Sequence, residues 1–189
     1  MDFLFYSTSL HKMNLEYLLW IDLETTGLNP KKDKILEIAA IITDWNFVEQ
    51  ERYEAIIKHE PCMLKMDNYV TNMHTTNGLI ANLDRGKDEK VIVKEVTKLL
   101  DKYHRAGTKF VVCGNSVDFD KRFIQQQWND IGCRISHRII DVSSMLLLAM
   151  QFKPEIYHNL PKSNNHRAMD DISCCLEVAK TMTESMWPK

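Results

Sequence analysis

An α/β fold is predicted, with helices flanking a mixed five-stranded sheet whose first three strands form an antiparallel meander. Three apolar segments follow one another closely near the start: 17–22 (YLLWID), 35–43 (ILEIAAIIT) and 51–58 (ERYEAIIK), joined by the turns GLNPKKD and DWNFVEQ. From residue 88 onward, helical and strand patterns alternate instead. No repeat, low-complexity tract or Gly/Ser linker interrupts the chain, so one domain is expected over 15–187, preceded by a flexible N-terminal extension, 1–14.

Each strand is short, apolar and bounded by turn residues, and such spacing leaves no room for crossovers between the first three. Over 88–104, Ile92, Val96, Leu99, Leu100 and Tyr103 recur at helical spacing with lysines and acids between them, which predicts an amphipathic helix. KFVVCG, 109–114, reads as the fourth strand and a helix follows over 117–129. RIIDV, 138–142, reads as the fifth, then a helix over 143–151. A loop containing Pro154 and Pro161 leads to a last helix over 168–186.

Composition bounds the function. At 189 residues with 44% hydrophobic content the chain can bury a substantial core and is too apolar for disorder. No apolar run reaches the length of a membrane span. The N-terminal apolar patch has no basic flank and an early Asp2, which argues against a signal peptide, and its lack of Arg argues against a mitochondrial transit peptide. Five cysteines, an odd number with no CxxC, fit a reduced compartment better than a disulfide framework or zinc site. A cytoplasmic location is therefore expected, with a mitochondrial one as the alternative. The net charge of -2 excludes wide, non-specific clinging to a nucleic-acid duplex, though not a nucleic-acid substrate.

The chemistry concentrates in acids. Asp22 and Glu24 end the first strand in WIDLETTGL, and residues i and i+2 of an extended chain share a face. Two carboxylates side by side repel and desolvate each other unless a cation joins them, and hard cations such as Mg²⁺ and Mn²⁺ prefer carboxylate oxygen. The plainer alternative is a carboxylate solvated at the strand edge. GNSVDFDKRF, 114–123, places Asp118 and Asp120 at a helix start, where capping and dipole compensation already explain an acid. On the last helix Ala168, Ile172, Cys175, Leu176 and Ala179 form the buried stripe. Asp171 lies on its flank, whereas Asp170 points nearly opposite, toward solvent. His166, five residues before Asp171, can lean over the same site or be an ordinary surface imidazole. Asp141 reads as an N-cap, and the basic clusters Lys31–Lys34 and Lys121–Arg122 as solvated surface.

Taken together, an acid pair D-x-E on the first strand, an Asp after a later strand and H-x4-D opening the last helix resemble the DEDDh exonuclease family. The stretches LLWIDLETTGLNPKKDKILEIAAIITD, MDNYVTNMHTTNGL, VVCGNSVDFDKRF, RIIDVSSM and FKPE followed by HRAMDDI are similar, in order and spacing, to oligoribonucleases of that family. The resemblance implies a ribonuclease-H-like fold and 3′-to-5′ hydrolysis of short RNA oligonucleotides, down to dinucleotides, to 5′-mononucleotides. It implies Asp22, Glu24, Asp120 and Asp171 as ligands of two divalent ions, Mg²⁺ or Mn²⁺, with His166 as general base. Imidazole suits that task because its ordinary pKa lies at about 6.5.

The same resemblance implies that Leu28 wedges between the two bases and that Tyr69 stacks on one of them. Ser116 and His74 would contact the substrate's 5′ phosphate, with His137 and Arg138 completing that cap from the partner subunit of a homodimer. Simpler readings make Leu28 a turn filler, Tyr69 a core residue and Arg138 the partner of a nearby acid. The chain departs from the family pattern at Tyr69, where Trp is usual, at His137, where Tyr is usual, and in LETTGL for LEMTGL. LETTGL also occurs in proofreading-type DEDDh exonucleases, so single-stranded DNA hydrolysis is an alternative. A catalytically silent RNA-binding module on the same fold is another, disfavoured because all five acid and histidine positions are filled.

Overall fold

A computed structural model describes residues 16–104, 108–163 and 165–186; the expectation for residues 1–14 lies outside them. Strands β1 (Leu18–Thr25), β2 (Ile35–Thr43) and β3 (Glu49–Ile56) form the antiparallel meander. Helices α1 (Asn68–Thr76) and α2 (Glu89–Tyr103) follow, with single 3₁₀ segments at Pro61–Met63 and Ile80–Arg85. Then come β4 (Phe110–Gly114), α3 (Asp118–Gln127), the one-turn α4 (Asn129–Gly132), β5 (Ile135–Asp141), α5 (Val142–Phe152), the short α6 (Pro154–His158) and α7 (Ala168–Met186). The sheet order is β3-β2-β1-β4-β5, with β4 parallel to both β1 and β5.

The predicted plan stands, and the differences have local causes. β1 runs to Thr25 because its pairing with β2 continues past the acids, Glu24 lying opposite Glu37. The helix expected over 117–129 ends at Gln127. Trp128 leaves helical geometry (φ -123°, ψ 68°), stays buried and donates its indole N–H to Glu89 at 2.8 Å. Part of the expected Pro154 loop is helical instead, with Pro154 in the first turn of α6, where a missing N–H is harmless. β5 begins at Ile135, three residues before the expected start; being an edge strand with mostly polar early residues, it shows no apolar signal there. Asp141 does cap α5, accepting the Ser143 N–H at 2.9 Å.

Alternation along β1 divides the core. Leu19, Ile21 and Leu23 face a layer built with Ile92, Val96 and Leu100 of α2 and Phe123 and Ile124 of α3. Leu18 and Trp20 face the opposite layer, packed with Ala39 and Ile41 of β2 and with Ala168, Ile172, Leu176 and Ala179 of α7. Asp22 and Glu24 continue the Trp20 face, so the two carboxylates project beneath α7 at the carboxyl end of the strand. β4 lies close beside this end. A Cβ added to Gly114 would stand 2.8 Å from the Ile21 carbonyl oxygen, so a side chain there would displace the strand that carries Asp22.

Candidate active site

The end of β1 is held from three directions. Beyond Glu24, the Thr26 N–H donates to the Lys34 carbonyl and the Lys34 N–H to the Thr26 hydroxyl, each at 2.9 Å, which closes the 26–34 turn. From α3, Asp120 accepts the Leu23 N–H at 2.9 Å. From above, α7 brings Asp171. Carboxylate oxygens of Asp22, Glu24 and Asp171 lie within 4.8 Å of one another. Asp120 adjoins this trio, with one oxygen committed to the β1 backbone.

Electrostatics shows how the acids bear on one another. Burial, followed by repulsion from Asp171 and Glu37, raises Asp22 to about 7. Burial and the charges of Asp22, Asp171, Glu37 and Asp120 raise Glu24 to about 9. Burial and Asp22 push Asp120 well above the usual carboxylate range, against the hydrogen bonds that it accepts. Without a cation these groups keep protons near neutrality; a hard divalent ion would replace the protons and relieve the repulsion. The donor set fits such an ion.

His166 precedes α7 and lines a cavity of about 410 Å³ together with Asp22, Asp171, Asn115, Ser163 and Cys174. Its backbone is left-handed (φ 47°), a conformation that costs a non-glycine residue about 1–2 kcal/mol and persists only where neighbours enforce it. Ser163 donates its hydroxyl to Asp171, fixing that carboxylate's rotamer. Asp170, on the other side of the helix, is exposed.

The other expected contacts separate into groups. Leu28 and Tyr69 are 80% and 73% exposed, so Tyr69 is not a core residue, and both line a second cavity of about 610 Å³ that reaches Glu24. Ser116 is exposed, left-handed (φ 53°), and donates its N–H to Asp141 at 3.0 Å. His137 and Arg138 are exposed on β5.

His74 differs from expectation. It is fully buried in α1, its Nε2 sits 3.0 Å from the Thr25 carbonyl, and its Nδ1 lies 3.9 Å from Glu24. The ring therefore backs the Glu24 carboxylate rather than reaching a substrate phosphate. Its spacing within MDNYVTNMHTTNGL could not reveal this, because burial on α1 depends on the turn packed over it. Lys121 also differs: it is buried rather than solvated, and its ammonium donates to the His137 carbonyl at 2.8 Å. Arg122 is exposed and pairs with Asp118 at 3.2 Å.

Sequence reasoning missed Glu37. It is fully buried on β2, and accepts from Arg167 Nη2 at 2.6 Å, from Arg167 Nε at 3.1 Å and from the Ala168 N–H at 3.1 Å. The available signal was an acid inside an otherwise apolar strand, KILEIAA, where an unpaired charge is too expensive to leave unexplained.

Comparisons with known proteins bear on the family and the fold. Residues 19–179 match the family model described as Exonuclease. An oligoribonuclease of Aliivibrio fischeri is 37% identical over 163 residues, 85% of this chain and 90% of the relative. One of Haemophilus ducreyi is 36% identical over 178 residues, 93% and 97% of the two chains. Among solved structures, the zinc-bound form of an E. coli ExoI–ssDNA complex superposes with a TM-score of 0.67 at 19% identity, over 93% of this chain and 42% of that one. E. coli Exonuclease I in complex with a dA16 oligonucleotide gives 0.66 at 17%, over 92% and 42%. This chain spans about two-fifths of those solved chains, and at such identities the likeness concerns the fold: the ribonuclease-H-like sheet expected from the sequence.

Proposed function

The chain belongs to the exonuclease family and is a 3′-to-5′ exonuclease, and on that premise we propose that it trims short RNA, down to dinucleotides, to 5′-mononucleotides. The observation that carries this reading is the convergence of Asp22, Glu24 and Asp171 within 4.8 Å, with Asp120 adjoining. Near-full-length likeness to proteins named oligoribonuclease supports the substrate class. The activity resides in one domain, residues 15–187.

Asp22, Glu24, Asp120 and Asp171 would hold two divalent ions, Mg²⁺ or Mn²⁺. When bound, such ions make water nucleophilic and neutralise charge on the phosphate and leaving oxygen. His166 takes the proton of the attacking water. Leu28 wedges between the two bases and Tyr69 stacks on one, both being exposed beside Glu24. Ser116 on one protomer, with Arg138 and His137 from its partner, caps the 5′ phosphate; a guanidinium fork can bond two phosphate oxygens. His74, enclosed behind Glu24, is outside the cap.

The cap requires a homodimer. An apolar face on α5 supports one: Leu147, Leu148, Met150 and Phe152 are exposed there together. Sedimentation should give twice the chain mass, and Leu148→Asp should halve it. A monomeric wild type with full dinucleotide activity would sink the shared cap. Among the described residues no helix is long and apolar enough to cross a membrane.

The function itself is tested with 5′-labelled RNA and DNA of two to about ten residues, with Mn²⁺ or with EDTA. The rate should be highest on the RNA dinucleotide, fall with length and vanish in EDTA. Persistence in EDTA would remove the metal chemistry, equal rates at every length would remove the capped site, and faster DNA hydrolysis would favour the proofreading-type reading. Tyr69→Ala should raise KM by about 5- to 150-fold, the equivalent of about 1–3 kcal/mol of lost base stacking.

A further inference from the structure

Three acids, not two, stand on the α7 face of the β1–β2 pair, because Glu37 lies directly opposite Glu24. The third does not belong to the ion-holding trio. Its carboxylate is saturated by the Arg167 fork and by the Ala168 N–H, the first residue of α7. A fully buried carboxylate with that many donors is fixed in place and fixes them in turn. Arg167 follows His166 directly, and on the other side of the site Asn77, at the end of α1, donates its amide N–H to the His166 carbonyl. The same Asn77 side chain accepts the Leu79 N–H at 3.0 Å, which settles its orientation. His166 is therefore gripped through its own carbonyl and through the next residue, at a position where its backbone is left-handed.

We propose that Glu37 and Asn77 are positioning residues that hold His166 over the Asp22–Asp171 cavity. Glu37 acts through Arg167 and also anchors the first turn of α7, which carries Asp171. Asn77 acts on the His166 backbone alone. The proposal rests on the exonuclease reading for its catalytic consequence, and on geometry alone for its effect on α7.

The two arms have different signatures. Glu37→Gln keeps the volume and removes the charge that Arg167 needs. It should lower kcat by about 10- to 100-fold, leave KM for a dinucleotide within about threefold, and weaken Mn²⁺ binding to the metal-free protein by about tenfold. Asn77→Asp keeps the acceptor for Leu79 and removes the donor to His166. It should lower kcat by about tenfold with KM and Mn²⁺ affinity unchanged. Arg167→Ala should resemble Glu37→Gln and be partly restored by methylguanidine in the buffer, since the Arg167 side chain is 28% exposed and the vacated space opens to solvent. Loss of stability alone would not produce this split, nor would it be reversed by a small guanidinium. Wild-type kcat in folded Glu37→Gln and Asn77→Asp, or an effect confined to KM, overturns the proposal. If the wild type hydrolyses no oligonucleotide, the exonuclease reading fails by itself; unchanged Mn²⁺ affinity in Glu37→Gln then overturns the anchoring of α7, and weakened affinity upholds it.

Discussion

Asp22→Asn should abolish hydrolysis while raising the melting temperature of the metal-free protein at and above neutral pH. The loss follows from the position of Asp22 within the acidic group, close to both Glu24 and Asp171, with its charge also bearing on Asp120. On the proposed two-ion mechanism, removing an anion that would help hold the ions forfeits several kcal/mol of transition-state stabilisation, so kcat should fall by about 10³-fold or more. The stability gain follows from the same crowding.

Asp22 is held up at about 7 and Glu24 at about 9, against ordinary values of 3.8 and 4.5. A carboxyl with a raised folded pKa binds its proton more tightly folded than unfolded. That contribution to stability is whole below the unfolded value and is lost as the pH rises through the folded one. The metal-free wild type should therefore melt progressively lower between about pH 4 and about pH 9 as this site ionises. Asn at position 22 carries no charge, leaves Glu24 with one repulsive neighbour fewer, and should flatten the decline. Mn²⁺ should stabilise the wild type more as the pH rises, because its binding displaces fewer protons, and should do little for Asp22→Asn. Calorimetry over that range, with and without Mn²⁺, checks each part. A variant that melts lower than wild type at about pH 8 without metal would show that Asp22 is not under electrostatic strain.

His166→Ala should have the next largest effect, separable from the first. With His166 as the proposed general base, its loss should lower turnover by about 10²- to 10⁴-fold. His166 is exposed and lines the cavity without belonging to the acidic trio, so Mn²⁺ affinity and KM for a dinucleotide should stay close to wild type. Removing an imidazole from an exposed position buries nothing new, and thermal stability should be retained. Isothermal titration with Mn²⁺ beside steady-state kinetics reads both quantities. An unchanged kcat, or a loss of Mn²⁺ binding as large as that of Asp22→Asn, would remove His166 from the role of base.

Much of this was legible in the chain. The apolar runs placed β1, β2 and β4 to within a few residues, and the helical stripe of α7 correctly divided Asp171 from Asp170. Less was legible where the deciding partner is distant. His74 was expected, by resemblance, at the substrate's 5′ phosphate, yet it is buried with its ring beside Glu24. Lys121 reads as one of two exposed cations, yet α3 packs it inward onto the β5 backbone. Glu37 was visible as an acid in an apolar strand, but its partner, Arg167, is 130 residues away.

The sequence by itself determined which segments are strands and helices, which acids share a face, and the family to which the chain belongs. Periodicity is local, so the elements and the shared faces are written within a few neighbouring residues, and the family in several such stretches kept in order along the chain. Only the tertiary structure decided which carboxylates meet, which one is neutralised by an arginine and left out of the acidic trio, and which polar side chains are sealed inside. Those outcomes depend on through-space distance and on burial, and both arise only when elements far apart in the chain are packed against each other.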